Sequence, residues 1–116
     1  MLLFTVTEGW RRRQVSLSEQ RWREHIEPGH PELRGQLGEI AETLSAPHFV
    51  YQDKDAPDTE LYYRVVGAGR LRNLTLKVVV RFDEGRRGEV ITAYPTSRLG
   101  THEGELLWVC LRPTRT

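Results

Sequence analysis

Proton transfer near neutral pH calls for histidine, and this chain places His25 and His30 early, with Lys77, Arg81, Thr92 and Tyr94 in its second half. A histidine suits removal of the proton from a ribose 2′-hydroxyl. A lysine or arginine holds the charge that grows on phosphorane oxygens. A tyrosine stacks on a base or hydrogen-bonds to phosphate. Together these groups would cleave RNA without a metal and leave a 2′,3′-cyclic phosphate. Each member also has a plainer explanation. His25 borders an apolar helix stripe and His30 adjoins Pro31. Thr92 and Tyr94 are good strand formers, and charged residues belong on any solvent-facing sheet side.

The elements that must position these groups follow from patterning. Leu2–Thr7 reads as a strand, Glu8-Gly9 as a turn and Gln14–Leu17 as a returning strand. Ser18 is a good N-cap for a helix from Glu19 to about Glu27, with Trp22 and Ile26 on one stripe and Pro28-Gly29 as its stop. Pro31 suits the first position of a second helix. Its apolar positions Leu33, Leu37, Ile40 and Leu44 run at helical spacing through Gly35 and Gly38.

Beyond Pro47 the period changes. Strands are expected at Phe49–Tyr51, Leu61–Val66, Leu74–Phe82, Glu89–Tyr94 and Leu106–Leu111. Along Leu74–Phe82, the residues Leu74, Leu76, Val78, Val80 and Phe82 face one side, expected to be the core, while Thr75, Lys77, Val79 and Arg81 face the other. In the next strand Ile91 and Ala93 join the core side, and Val90, Thr92 and Tyr94 oppose it. A short turn makes these two strands neighbours. Lys77, Arg81, Thr92 and Tyr94 then share one wet sheet face, over which His25 is expected to lean. Helices followed by an antiparallel meander give an α+β plan.

Composition narrows the field. The chain has 116 residues, 38% hydrophobic and 28% charged, which is one globular domain's worth. No apolar run approaches the roughly 20 residues of a membrane span. Net charge is +1, yet Arg64, Arg70, Arg72, Lys77 and Arg81 fall between Leu61 and Phe82 without an acid, so one basic face is expected. Cys110 stands alone in an apolar run, which excludes an internal disulfide and suggests a buried thiol. His25, His30, His48 and His102 form no zinc signature, so no metal or other cofactor is expected. Met1–Glu8 is too short for a signal peptide, and a cytoplasmic location is the default expectation. Arg11–Arg13 reads as an arginine-dressed hairpin tip. Trp10, Tyr62 and Tyr63 are candidates for exposed aromatic contact with a protein partner.

The order of several short pieces carries a resemblance. Val15-Ser16-Leu17-Ser18, Arg21-Trp22-Arg23-Glu24-His25-Ile26 and His30-Pro31-Glu32-Leu33 come first. Ile40-Ala41-Glu42-Thr43-Leu44, Pro47, Leu76-Lys77-Val78-Val79-Val80 and Val90-Ile91-Thr92-Ala93-Tyr94 follow. From Val15 to Trp108 this resembles the phage-type branch of the barnase–EndoU–colicin–RelE nuclease-like superfamily. The resemblance implies a single nuclease-like domain, with N-terminal helices packed on a four- to five-stranded antiparallel sheet. It implies a metal-independent ribonuclease, of the kind found among toxins and phage or mobile-element proteins. The active residues it implies are His25, Lys77, Thr92 and Tyr94, with His30 as the second histidine of the helical segment. Arg81 is a further candidate for stabilising charge. Ser97 and Arg98 look like supporting substrate-binding positions. RNA is the implied partner, and an acidic antitoxin or immunity protein the implied inhibitor. A module of the same fold that binds nucleic acid or protein without cutting is the alternative.

Overall fold

Ser18 starts the first helix as its type and place predict: its hydroxyl accepts the Arg21 N–H at 3.0 Å. The protein is seen here as a computed structural model that describes residues 1–84, 86–97 and 102–111. Helix α1 (Glu19–Arg21) passes directly into a π turn (Trp22–Ile26), in which the Glu27 N–H reaches the Trp22 carbonyl at 2.8 Å. This turn buries Trp22 and Ile26 against the sheet and leaves His25 on the solvent side. Full burial of a side chain such as Ile26 stabilises the fold by roughly 2 kcal/mol.

The continuous second helix expected from the leucine spacing does not form. Pro31–Leu33 makes one 3-10 turn, Gly35 takes a φ of +75°, and helix α2 begins only at Leu37 and runs to Ser45. Only glycine takes that left-handed backbone without a steric penalty, so Gly35 breaks the element that Leu33 and Ile40 appear to span. Both of those side chains still reach the core.

The strands are β1 (Leu2–Thr7), β2 (Gln14–Ser18), β3 (Phe49–Asp53), β4 (Thr59–Val65), β5 (Thr75–Phe82), β6 (Gly88–Thr96) and β7 (Glu103–Val109). They form one seven-stranded sheet in the order β1-β2-β6-β5-β4-β3-β7. The α+β architecture with helices packed on a sheet is as expected. The count of four to five strands and the purely antiparallel pairing are not. The N-terminal hairpin adds two strands to the meander, and β2 joins β6 in parallel through Val15–Gly88 and Ser16–Glu89.

That seam is short, ending at Ser16 although β2 runs on to Ser18, where the chain enters α1. The π turn then lies against β6. Gly88 makes the seam possible: a Cβ there would stand 2.7 Å from Phe82, 2.8 Å from Val80 and 3.0 Å from Val15. The core lies between the helices and one sheet face, with Leu17, Ile26, Leu33, Ile40 and Leu44 packed over Leu76, Val78, Val80 and Ala93. Val90 joins this core and Ile91 is only half-buried, the reverse of the strand alternation. The reason is a register shift in β6, where Val79 pairs with Thr92 but Val80 pairs with Val90. Ile91 is the extra residue of this bulge, and everything before it changes face. Cys110, expected to be buried, is exposed just beyond β7.

Candidate active site

On the face away from the helices, strand register brings four side chains into one row. Phe49 on β3 pairs with Tyr63 on β4, Tyr63 with Lys77 on β5, and Lys77 with Tyr94 on β6. Cross-strand neighbours on one face touch, so the row is continuous. The Phe49 and Tyr63 rings stack with centroids 5.2 Å apart, and Tyr51 sets its ring edge-on to both. The Lys77 ammonium lies 5.6 Å from the Tyr63 ring centre and 5.4 Å from that of Tyr94. Beyond Tyr94, where β2 has left the sheet, the His30 imidazole stacks on the phenol ring at 5.3 Å with the planes 29° apart. His30 directly follows the π turn that lies against β6, and its N–H reaches the Ile26 carbonyl at 3.0 Å.

The face is not the open wet surface that alternation suggests. Lys77 is 2% exposed. Its ammonium stands between two π faces, a favourable setting for a cation. Glu103, the first residue of β7, places Oε2 3.6 Å from Nζ with its side chain only 9% exposed. That distance is an ion pair but not a hydrogen bond. Among the described residues neither carboxylate oxygen of Glu103 has a hydrogen-bond partner, and the buried Tyr63 hydroxyl has none either. Unsatisfied polar atoms in a protein interior are rare, and two of these belong to the carboxylate that faces Lys77.

The remaining candidates are dispersed. His25 is exposed, and its side chain makes no hydrogen bond, ion pair or ring contact among the described residues. Thr92 shares the Lys77 face opposite Val79 and is half-buried. Arg81 lies on the same face further along β5, exposed and 3.6 Å from Glu89. Ser97 is exposed just past β6, and Arg98 lies outside the described residues. The structure therefore gathers His30, Tyr94 and Lys77, keeps Thr92 on their side, and leaves His25 and Arg81 apart from them.

Tyr63 and Glu103 also adjoin Lys77; sequence reading assigned Tyr63 to partner contact instead and passed over Glu103. Tyr63 had a usable signal, being a strand aromatic in phase with a buried row. Glu103 had none, because its approach to Lys77 is made entirely by tertiary structure.

The expected basic face is not assembled. Arg64 pairs with Glu42 at 3.4 Å, Arg81 with Glu89 and Lys77 with Glu103, each acid coming from another element. The proposed exposed aromatics are also corrected. Tyr62 and Tyr63 are fully buried because both sides of β4 are covered, and Trp10 is half-buried. The arginine-rich hairpin tip has an internal task as well. The Arg13 guanidinium meets Glu8 at 3.0 Å and Glu60 at 2.6 Å, and lies 3.7 Å above the Phe82 ring centre.

Glu8 is wholly buried and accepts the backbone N–H groups of Trp10, Arg11 and Arg13. Burial alone would raise its pKa. The donors from Arg13 and Trp10, with the Arg13 side chain, outweigh that and hold the carboxyl below its ordinary value. Burial, then the Glu60 and Glu8 carboxylates, push the Tyr62 phenol far above the tyrosine range, so it stays a donor to them. This cluster ties the hairpin to β4, and its charges are spent internally.

Among the described residues no three His, Cys, Asp or Glu side chains are arranged to hold a metal ion, and no helix is long and apolar enough to cross a membrane. The chemistry on offer is a histidine at the rim, a tyrosine ring that continues into the sheet, and a cation behind it. Compared with family models, curated proteins and solved structures, the chain has no significant match.

Proposed function

We propose that this protein is a metal-independent endoribonuclease that cuts RNA to 2′,3′-cyclic phosphate ends. The observation that supports this reading is the unbroken series His30, Tyr94, Lys77 at the open side of β6. His30 takes the proton of the ribose 2′-hydroxyl as that oxygen attacks phosphorus. Glu32 stands 3.5 Å from Nδ1, on the side away from Nε2, which is the nitrogen assigned to this transfer. The bond from phosphorus to the 5′-oxygen breaks, and the departing oxygen takes its proton from solvent water. Lys77 stabilises the charge on the non-bridging oxygens. Tyr94, whose ring adjoins both, contacts the substrate alongside them, and Thr92 lies on the same side. His30 replaces His25 as the favoured histidine, since only His30 adjoins the strand residues. An acidic antitoxin or immunity protein in the cytoplasm is the partner such an activity would need.

The test is incubation of purified protein with RNA in the presence of EDTA, followed by end-group analysis. Cyclic phosphate ends that vanish with His30→Ala, in a protein that still melts cooperatively, are the expected result. RNA binding without any product would leave a nucleic-acid-binding module of the same architecture and end the enzymatic reading.

A further inference from the structure

We propose that Glu103 is an internal counter-ion occupying the anion seat of Lys77, and that a phosphoryl group binds there by exchanging with it. The inference deepens the ribonuclease reading and rests on its assignment of Lys77 as the phosphate-facing group. Lys77 is nearly inaccessible, and the anion that faces its ammonium is the carboxylate of Glu103. The resident pair is poorly made. At 3.6 Å it lacks a charge-assisted hydrogen bond, and both Glu103 oxygens are buried with no donor among the described residues. A buried ion pair repays its desolvation only when hydrogen bonds complete it. A phosphate presents more anionic oxygens to the same ammonium, which already lies 5.6 Å from the centre of the Tyr63 ring.

The exchange is a side-chain movement. Strand β7 is pinned where it begins: the Lys54 N–H donates to the His102 carbonyl at 2.9 Å. A Cβ on Gly104 would stand 3.0 Å from the Gln52 carbonyl oxygen, so backbone packs closely against backbone there. Glu103 therefore leaves its seat by rotating about its side-chain bonds while the strand stays in place. At rest the site is closed by its own carboxylate.

Titration of the full chain with inorganic phosphate at low ionic strength tests this. Glu103→Gln, which keeps the shape and removes the charge, is expected to bind phosphate at least about tenfold tighter than wild type. The gain is expected to disappear in the Lys77→Met/Glu103→Gln double variant. Glu103→Asp, with its shorter reach, serves if the glutamine variant fails to fold, and is expected to shift affinity in the same direction by less. Equal affinities in wild type and variant, or a gain that survives loss of Lys77, overturn the proposal. The RNA assay is separate: phosphate exchange without cleavage removes the nuclease reading alone, and cleavage without exchange removes this inference alone.

Discussion

The His30 imidazole and the Tyr94 phenol form one stacked unit, 5.3 Å between centroids, joining a turn after the first helix to the inner row of the sheet. The two residues are far apart in sequence and come from the two halves of the fold. If this unit is where RNA is cut, His30→Ala is expected to lower the cleavage rate about 100-fold, the usual scale of a lost proton-transfer group. His25→Ala is expected to cut at the wild-type rate. Tyr94→Phe, which keeps the ring, is expected to retain the upfield shift of the His30 ring protons in NMR spectra. Tyr94→Ala is expected to lose it. Full activity in His30→Ala would remove the histidine from the chemistry.

The buried cluster at the hairpin base sets acid stability. Glu8 has a native pKa below the ordinary 4.5, so its contribution is complete above that value. Below it the unfolded chain takes up a proton that the native chain refuses, and stability drains away as pH falls through the depressed native pKa. Denaturant melts across this range are expected to show a shallower acid limb for Glu8→Gln than for wild type. Arg13→Met leaves two buried carboxylates without their cation and is expected to cost about 3–5 kcal/mol.

His48 acts in the same direction at higher pH. Its Nδ1 accepts the Val65 N–H at 3.1 Å, which a protonated Nδ1 cannot do. Burial, then the neighbouring Arg64, hold its pKa below the ordinary 6.5. The unfolded chain therefore protonates first on acidification. Stability is expected to fall as pH drops below 6.5 and to level off once native His48 also titrates. His48→Gln is expected to flatten this part of the profile, and an unchanged profile would mean the imidazole is not coupled to folding.

Gly88→Val tests the seam between β2 and β6. Phe82, Val80 and Val15 would each have to yield to the added side chain, and overpacking of this kind costs about 1–3 kcal/mol. Hydrogen exchange is expected to show Val15 and Ser16 losing protection first, with the β4–β5 ladder unchanged.

Local rules made much of this fold legible. Every strand is visible as a short alternating or apolar run, the Ser18 cap is visible as a residue type in the right place, and Trp22 and Ile26 mark the buried helix stripe. What escaped depends on exceptions to period. One inserted residue at Ile91 reverses Val90, and one positive φ at Gly35 splits a helix whose leucines are correctly spaced. The site divides in the same way. Lys77 and Tyr94 share a face by alternation alone. The choice of His30 over His25, and the arrival of Glu103, depend on how distant segments wrap the sheet, which no short-range pattern encodes.

The two-pair seam of β2 with β6 has a consequence during synthesis. The N-terminal hairpin leaves the ribosome long before Gly88 exists, and its inner edge has nothing to pair with until then. The β3–β6 meander completes itself from neighbours in sequence, whereas β1 and β2 must wait and dock from a distance. Contacts of such separation are the slow ones to form. A nascent chain stalled before β6 is therefore expected to carry an unmatched strand edge, the species most open to capture by a chaperone or by another unfinished copy.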